Sequence, residues 1–388
     1  MLELSPMKVG IDVFCSDHGR SGIGSYIQSF VKNIDSLKNN PKYSDIEFEL
    51  FGSELDRFTF NNGNTQINYK GITISDTLSA ERGWHNFKLN NFAKKNKYDC
   101  ILFPAGARML PLSLKTKGIA VVNDVLSVQL KEKKNFFERF FVLKGLKNST
   151  KIIAPSQFIK NDLVKLKINP KKIEVVYNGI DHNHFYHHSE LDTTEDTVLI
   201  KPFAIKKPYI IYATRIQNKD KKHIELINAF CEFKKRTNSP HRLVLAGDGT
   251  FASEIQKILQ KSPYASDIFL TGYFPHEHLP ELYSCADACI FPSTIEGVGL
   301  PIIEAMSTGI PVACAKAGAL PEFAKDCAIY FNPDDIEDFS KAIETILTQQ
   351  DLREKLIDAG IQWTKRFSWE KTLERTAEVI QMIKGRCT

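Results

Sequence analysis

Phe291-Pro292-Ser293-Thr294-Ile295-Glu296-Gly297-Val298-Gly299-Leu300-Pro301-Ile302-Ile303-Glu304-Ala305-Met306, followed by Gly309-Ile310-Pro311-Val312, reads as a strand end, a glycine loop and a helix. Pro301 suits the first helical position, Gly309 suits the left-handed position after the last turn, and Pro311 cannot continue the helix. Free amides at such an N-terminus, together with the helix dipole, favour an anionic phosphate, and Gly297 and Gly299 let the backbone approach it without a Cβ in the way. Two carboxylates flank this anion site, Glu296 in the loop and Glu304 one turn into the helix. They make sense as acceptors of hydrogen bonds from hydroxyls on either side of a diphosphate, Glu296 from a sugar ring and Glu304 from a ribose. The plainer reading is a pair of glutamates that stabilise a helix dipole, worth about 0.3–1 kcal/mol each.

Outward from this stretch, strand-like and helix-like runs alternate along the chain. In the first half the strand patterns are Val9–Phe14, Ile46–Phe51, Tyr98–Phe103, Ile119–Val122, Lys151–Ala154 and Ile173–Tyr177, with helix patterns such as Gly24–Ile34 and Phe158–Leu166 between them. That rhythm predicts a parallel sheet covered on both faces. It breaks at His187 to Lys207, a polar stretch containing Glu190-Leu191-Asp192-Thr193-Thr194-Glu195-Asp196, which reads as a linker. It restarts with Tyr209–Ala213 and continues through Leu243–Ala246, Ile268–Thr271, Ala288–Phe291, Pro311–Ala315 and Ala328–Phe331. The expected organisation is α/β: a doubly wound, Rossmann-like domain over residues 1–190, a second over 191–370, and a terminal amphipathic helix within 371–388 that packs back on the first. Ligands of such sheets sit beyond the carboxyl ends of the strands, so two such domains facing each other across a cleft would line it with strand-to-helix loops.

Bulk properties agree with two ordinary globular domains. The chain has 388 residues, 43% hydrophobic and 25% charged, which suffices for sizeable cores and excludes collagen, coiled coil or global disorder. The short opening before Lys8 leaves no room for a signal sequence, and no apolar run approaches the roughly 20 residues of a membrane helix. A cytoplasmic protein, peripheral to a membrane at most, is expected. The eight cysteines are scattered through apolar patterns and read as reduced core residues. Cys285 and Cys289 have the spacing of one helical face, yet no second Cys or His pair accompanies them, so a metal site is not expected. A net charge of +5 is too diffuse to argue for nucleic acid.

The carboxylate spacing resembles the Glu-x7-Glu motif of retaining glycosyltransferases, and Glu-Gly-x-Gly-Leu-Pro…Glu-Ala-Met…Gly-x-Pro-Val around it is similar to glycosyltransferase family 4. Further matches are Gly272-Tyr273, Leu279-Pro280-Glu281-Leu282-Tyr283, Ala286-Asp287, Pro292-Ser293, Gly318, Pro321-Glu322 and Asn332-Pro333. Ala246-Gly247-Asp248-Gly249 and Asn178-Gly179-Ile180-Asp181 fit as well, so the resemblance spans nearly the whole chain. It implies a GT-B fold, a nucleotide-diphosphate sugar as donor, retention of anomeric configuration, and no metal or other cofactor.

The resemblance also implies roles for single residues. An Arg and a Lys after the first strand of the second domain hold the diphosphate; Arg215 matches the Arg and Lys221 the Lys, with one more residue between them than the family usually has and Lys222 in reserve. Both cations would neutralise charge growing on the departing nucleotide. The amides of Gly297, Val298, Gly299 and Leu300 would meet the same group, and Gly272-Tyr273 would meet the base through backbone atoms. In the first domain Gly19-Arg20-Ser21-Gly22-Ile23-Gly24 follows the opening strand without the dinucleotide-binding G-x-G-x-x-G spacing. The family places this loop against donor phosphate and acceptor, which singles out Gly22 and Gly24.

One position departs from the family. After Ile119–Val122 relatives carry His-Asp, whose His touches the donor sugar, and this chain has Asn123-Asp124. Asn exchanges hydrogen bonds but does not titrate near neutrality, so position 123 is no general base. A donor lacking or altering a hydroxyl, such as a 6-deoxy or amino sugar, would account for the change. Softer candidates are Arg82-Gly83-Trp84 and Ala105-Gly106-Ala107-Arg108 on the acceptor side, with packing an equal explanation for Trp84. The stretch Lys131 to Lys147, with Phe136, Phe137, Phe140 and Phe141 among Lys133, Lys134, Arg139 and Lys144, has two readings, an anionic-bilayer surface or a core-facing helix with a basic rim. The second is favoured.

Together these expectations describe a hexosyltransferase of surface polysaccharide assembly, of lipopolysaccharide O-antigen flavour. It would move a mannose-like sugar, as from GDP-mannose, or a 6-deoxy or amino sugar, to a saccharide or polyprenyl-linked saccharide at the inner face of the plasma membrane. A sugar-nucleotide 2-epimerase, a pyridoxal-dependent phosphorylase and an inactive nucleotide-sugar-binding protein are the alternatives; oligomeric state is left open by the sequence.

Overall fold

The computed structural model describes residues 6–61, 67–132, 136–187, 196–200, 203–273 and 275–384, in two units. Unit 1 comprises the chain up to Gly179 together with the segment from Ser368, and unit 2 comprises Ile180–Phe367. The chain thus passes from unit 1 to unit 2 at Gly179, ahead of the polar stretch.

Short apolar runs such as Cys100-Ile101-Leu102-Phe103 are buried on both faces, the pattern that a parallel sheet between two helical layers demands. In unit 1 the strands are β1 (Met7–Asp12), β2 (Ile46–Ser53), β3 (Asn68–Ile72), β4 (Cys100–Phe103), β5 (Lys117–Val121), β6 (Lys151–Ala154) and β7 (Ile173–Val175). They form one parallel sheet in the order β3-β2-β1-β4-β5-β6-β7. Helix Gly22–Asn33 begins where the Ser21 hydroxyl accepts the Gly24 amide. Its Ile23, Tyr26, Ile27 and Phe30 share a core with Val9 and Ile11 of β1 and with Trp369, Leu373, Ala377 and Ile380 of the terminal helix Trp369–Lys384.

Unit 2 contains β10 (Tyr209–Ala213), β11 (Arg242–Ala246), β12 (Ile268–Gly272), β13 (Ala288–Phe291), β14 (Val312–Ala315) and β15 (Ala328–Phe331) after a short antiparallel pair, β8 (Thr197–Ile200) and β9 (Phe203–Lys206). The six form a parallel sheet in the order β12-β11-β10-β13-β14-β15. Each unit is therefore a doubly wound, Rossmann-like α/β body whose strand order reverses beside its first strand, β1 in unit 1 and β10 in unit 2.

Three sequence expectations need correction. Strand β3 was not expected, because Asn68-Tyr69-Lys70-Gly71-Ile72 is a polar edge strand that alternates instead of running apolar. The stretch read as a linker carries the antiparallel β8–β9 pair in its described part, while residues 188–195, with most of the acidic run, and residues 201–202 lie outside the described residues. Helix Phe136–Asn148 is not core-facing through its aromatics: Phe137, Phe140 and Phe141 are exposed, and Val142 and Leu146 bury instead. Lys133, Lys134 and the Phe136 side chain lie outside the described residues.

Seven cysteines are free thiols, and Cys387 lies outside the described residues. Cys289 belongs to β13 whereas Cys285 caps helix Leu279–Ser284, so the two share no helical face. Among the described residues no group of three or more His, Cys, Asp or Glu is placed to hold a metal ion, and no helix is long and apolar enough to cross a membrane.

Candidate active site

In unit 2, β10 lies between β11 and β13, so the loops leaving β10 and β13 diverge at the switch point of the sheet. The loop after β10 ends in the turn Lys219–Lys221, and the Lys221 carbonyl accepts the hydroxyl of fully buried Tyr212 at 2.9 Å. The loop after β13 is tied to that turn by Thr294, whose amide donates to the Asp220 carbonyl at 2.9 Å. These backbone bonds bring two side chains together: Lys221 Nζ lies 2.9 Å from Glu296 Oε2. Glu296 is held from its other side, because Ala319 donates to its carbonyl and a Cβ on Gly318, at φ +60°, would come within 2.8 Å of that oxygen. Lys222 is turned elsewhere, to Glu225 at 3.0 Å and Asp334 at 2.6 Å. Of the two lysines, the structure brings Lys221 to Glu296.

Arg215 is exposed immediately beyond β10. Its backbone is fixed by the neighbouring loop: Thr214 donates to Ala246, Ile216 donates to Asp248, and a Cβ on Gly247 or Gly249 would strike the Thr214 or Ile216 carbonyl. The glycines of Ala246-Gly247-Asp248-Gly249 are thus a close-approach device beside Arg215.

After β13 the chain turns into helix Leu300–Ser307 through Gly299 at φ +72°, a conformation an L side chain strains to adopt; Pro301 is the second helical residue and Gly309 takes φ +81° beyond the C-terminus. Gly297, Val298 and Leu300 are half-buried around that N-terminus. Glu304 is buried, and burial pushes its carboxyl up to about 7. The exposed imidazole of His276 comes within 3.9 Å of Glu304 Oε1, and it stacks on His184 and meets the edge of Phe185. At the end of β12, Gly272 has φ +70° with open space around its Cβ direction and bridges to Gly247, while Tyr273 is exposed. His223, first in helix His223–Thr237, is held neutral: burial, then the Lys221 charge, pulls its pKa down to about 4.

In unit 1 the loop leaving β1 has left-handed backbone at Cys15, Asp17, His18 and Gly19. A Cβ on Gly24 would collide with the Gly19 backbone, whereas one on Gly22 meets nothing within 4 Å. Gly24 is therefore a packing requirement and Gly22 an open position. The same loop borders a cavity of about 860 Å³ also lined by Arg82, Arg108, Asp56, Asp76, Glu81 and Glu138. Its charges are interlocked: His18 bridges Asp56 at 2.6 Å and Asp76 at 3.1 Å, Arg108 reaches Asp17 at 2.9 Å, and Arg82 reaches Glu138 at 3.2 Å. The hydrogen bond to Asp56, and next its charge, hold the His18 pKa above its ordinary value. Arg82 and Arg108 thus meet on one cavity, while Trp84 packs on Phe14, Phe51 and Phe92 in a satellite core.

Asn123 and Asp124 lie half-buried beyond β5, and Asn178 Nδ2 donates to Asn123 Oδ1 at 3.2 Å. That bond commits the Asn123 oxygen and leaves its amide hydrogens for another acceptor. Sequence reasoning singled out no role for Asn178, Tyr212, His18, Asp56 or Asp76. A buried Asn within the quoted Asn178-Gly179-Ile180-Asp181 was the one available signal; the others join the site through contacts distant in sequence.

The chain matches two family models, Glycosyltransferase Family 4 over residues 46–184 and Glycosyl transferases group 1 over residues 197–363. It is similar to the O-antigen chain mannosyltransferase B of Escherichia coli, 31% identical over 159 residues, which is 41% of this chain and 42% of that protein. It is also similar to the sulfoquinovosyl transferase SQD2 of Arabidopsis thaliana, 26% identical over 223 residues, 56% of this chain and 41% of that one. The matched stretches thus span less than half the length of these two curated relatives. Among solved structures, Anabaena Alr3699/HepE in complex with UDP and glucose superposes with a TM-score of 0.72 at 17% identity, covering 97% of this chain and 100% of that one, a likeness of fold. With both halves matched by glycosyltransferase models and the GT-B architecture in place, the chain belongs to glycosyltransferase family 4.

Proposed function

We propose that the chain is a retaining, metal-independent hexosyltransferase that takes a sugar from a nucleotide-diphosphate donor held by unit 2 and passes it to a saccharide or lipid-linked saccharide in surface polysaccharide assembly. The observation that carries this reading is the Lys221–Glu296 pair at the switch point of unit 2, flanked by the glycine-led helix N-terminus. A cation for the diphosphate and an acceptor for sugar hydroxyls stand side by side, which is what a sugar diphosphate presents at its junction. The O-antigen mannosyltransferase among the relatives supports a mannose-like sugar and a polysaccharide acceptor.

In the proposed reaction an acceptor hydroxyl attacks the anomeric carbon from the face the nucleotide leaves. The bond from that carbon to the diphosphate oxygen breaks as the bond to the acceptor oxygen forms, and the acceptor proton passes to the departing diphosphate. Arg215, Lys221 and the Gly297–Leu300 amides hold the charge that develops there. Glu296 orients the sugar, Glu304 accepts from the ribose, and Gly272-Tyr273 offers backbone groups to the base. In unit 1 the Asn123 amide supplies a hydrogen-bond donor next to Asp124, Gly22 leaves room for the substrate, and the cavity rimmed by Arg82 and Arg108 takes the polar acceptor. Asn123 in place of His supports a donor with a missing or altered hydroxyl, a 6-deoxy or amino sugar.

The test is a thermal-shift panel of nucleoside diphosphates and their sugars, followed by transfer assays with the stabilising donor and saccharide acceptors, the product anomer read by NMR. A ligand that binds the folded state alone at a hundred times its Kd stabilises it by about 2.7 kcal/mol. A panel with no shift, a donor epimerised without acceptor, or an inverted product would each overturn the proposal.

A further inference from the structure

We propose that His18 positions the unit 1 cavity through a proton. Its doubly protonated ring ties Asp56 to Asp76 across the loop leaving β1, and loss of that proton frees the loop and weakens acceptor binding. Nδ1 lies 2.6 Å from Asp56 Oδ1, and Nε2 lies 3.1 Å from Asp76 Oδ2. Carboxylates accept, so a ring that meets one at each nitrogen must donate from both, which the imidazolium alone does. A neutral ring keeps one N–H and turns a lone pair on the other carboxylate. Asp56 is buried and has no water to turn to, whereas Asp76 is exposed. The remaining N–H therefore stays with Asp56, and the bond to Asp76 is the one that breaks.

The tie holds a loop that is costly to keep. Cys15, Asp17 and His18 have φ of +57°, +53° and +53°, left-handed backbone that side chains disfavour. On the cavity wall beside them Ser16 Oγ is buried with no hydrogen-bond partner among the described residues. Such a loop keeps its shape only while its surroundings hold it. The hold passes on to the start of helix Gly22–Asn33, because the Ser21 hydroxyl donates to the Ser16 carbonyl at 2.8 Å and Gly24 packs directly on Gly19.

Other charges near the ring are settled elsewhere. Asp17 on the same turn is held by Arg108, and Glu54 and Arg57 beside Asp56 bond each other. Glu81 on helix Leu78–Phe87 accepts from the Cys15 thiol, and burial raises its carboxyl. Burial also keeps the proton on Tyr69 near Asp56. Helix Gly22–Asn33 brings Tyr26, packed edge-on to Trp369, and Lys32 in its last turn, while Arg20 is exposed just past the His18 turn. Asp56 and Asp76 thus set the charge of the ring, which they hold above the ordinary value of 6.5. The tie is complete below that value and is lost as pH rises through the raised one.

The effect on acceptor binding rests on the acceptor reading above and the tie itself does not, so each has its own measurement. NMR of the ring nitrogens in the full chain with labelled histidines reads the tie, His18 being assigned by its absence from His18→Gln. Both nitrogens should carry protons below the midpoint, and the Gly19 and Gly24 amides should titrate with the ring. At saturating donor, which keeps the titration of Glu304 out of the measurement, the acceptor is a mannose disaccharide or whichever saccharide the transfer panel turns over faster. Its KM should rise about fivefold as pH passes the midpoint, the scale of one part-exposed ion pair, while kcat holds. Asp76→Asn should move the ring midpoint and the KM midpoint to lower pH together, because one of the two carboxylates that hold the proton is gone. His18→Lys, cationic throughout, should flatten the KM profile, and His18→Gln should keep donor affinity with a raised acceptor KM at every pH. A His18 ring that carries a single proton below pH 6.5, or loop amides that ignore its titration, would overturn the tie and leave the acceptor reading standing. Loop amides that titrate beside a flat KM profile would overturn the link to acceptor binding and tell against the cavity as the acceptor site.

Discussion

Lys221 Nζ and Glu296 Oε2 stand 2.9 Å apart with their side chains 18% and 15% exposed, so the groups proposed to grip diphosphate and sugar neutralise each other while no donor is present. A diphosphate must therefore compete with Glu296 for the ammonium. Glu296→Gln removes the competitor and keeps the shape. We expect the variant to bind the nucleoside diphosphate as tightly as wild type or tighter, while kcat falls by about a hundredfold, the scale of one lost transition-state contact. The unliganded variant should also lose about 1–3 kcal/mol of stability, since Lys221 keeps its partial burial without its counter-charge. Titration calorimetry beside steady-state kinetics reads both, and weaker diphosphate binding would show that the pair is structural only.

The two neighbouring lysines should separate cleanly. Lys221→Ala is expected to lower kcat by about a hundredfold or more. Lys222→Ala removes contacts with Glu225 and Asp334 that sit near the surface, and should change kcat by less than threefold and stability by about 0–1 kcal/mol. Lys222 also has φ +55°, a backbone strain that lysine and alanine share and glycine does not, so Lys222→Gly should be more stable than Lys222→Ala. Equal kinetic losses at both positions would remove the distinction that the geometry draws.

How far the sequence carried this reading follows from which interactions are local. The strand–loop–helix around Gly299 was legible because Pro301, Gly309 and Pro311 each have a backbone reason to stand where they do. The sheet of each unit was legible from apolar runs, save the edge strand β3, whose single strand neighbour lets it stay polar. The choice of Lys221 over Lys222 was not fixed by spacing, because it turns on the left-handed backbone of Lys222, which sends consecutive side chains to different partners. The acid-rich cavity of unit 1 was illegible for a similar reason: Asp17, Asp56 and Asp76 lie in separate segments, where His18 joins Asp56 to Asp76 and Arg108 holds Asp17. The phenylalanine helix misled because apolar residues occupy both of its faces, and pattern alone does not say which face the body covers.

Glu304 gives a pH-dependent prediction. Burial raises its carboxyl to about 7 from an ordinary 4.5, so between those values the folded state binds more proton than the unfolded one. Stability from this group is therefore highest below the ordinary value and falls as pH rises, with the full cost, at most ~3 kcal/mol, reached above about pH 7. Glu304→Gln should melt higher than wild type at about pH 8, and the gap should close by about pH 5. Donor binding should respond in the opposite sense: wild-type affinity rises through neutrality as the carboxylate forms to accept ribose hydroxyls, and the Gln variant binds weakly at every pH. A Gln variant with unchanged nucleotide affinity would leave Glu304 a buried acid without a ribose to hold.

Asn123 offers the sharpest test of donor choice. Its oxygen is engaged by Asn178 Nδ2 at 3.2 Å, and Asn178 is buried, so the amide plane at 123 is set by a neighbour and its hydrogens are aimed by that constraint. Asn123→His restores the family residue but breaks this bond and leaves a buried Asn178 amide unpaired, at a cost of about 1–3 kcal/mol. If Asn123 was selected for a donor lacking a hydroxyl, the variant should lose activity on that donor and gain, relative to it, on an ordinary hexose donor. Asn178→Ala should lower kcat on the native donor by freeing the Asn123 side chain to rotate, with a smaller effect on donor KM. Competition assays between a 6-deoxy and an ordinary hexose donor read the switch directly. An Asn123→His enzyme that folds, binds donor and shows the wild-type ratio would mean that residue 123 does not read the sugar.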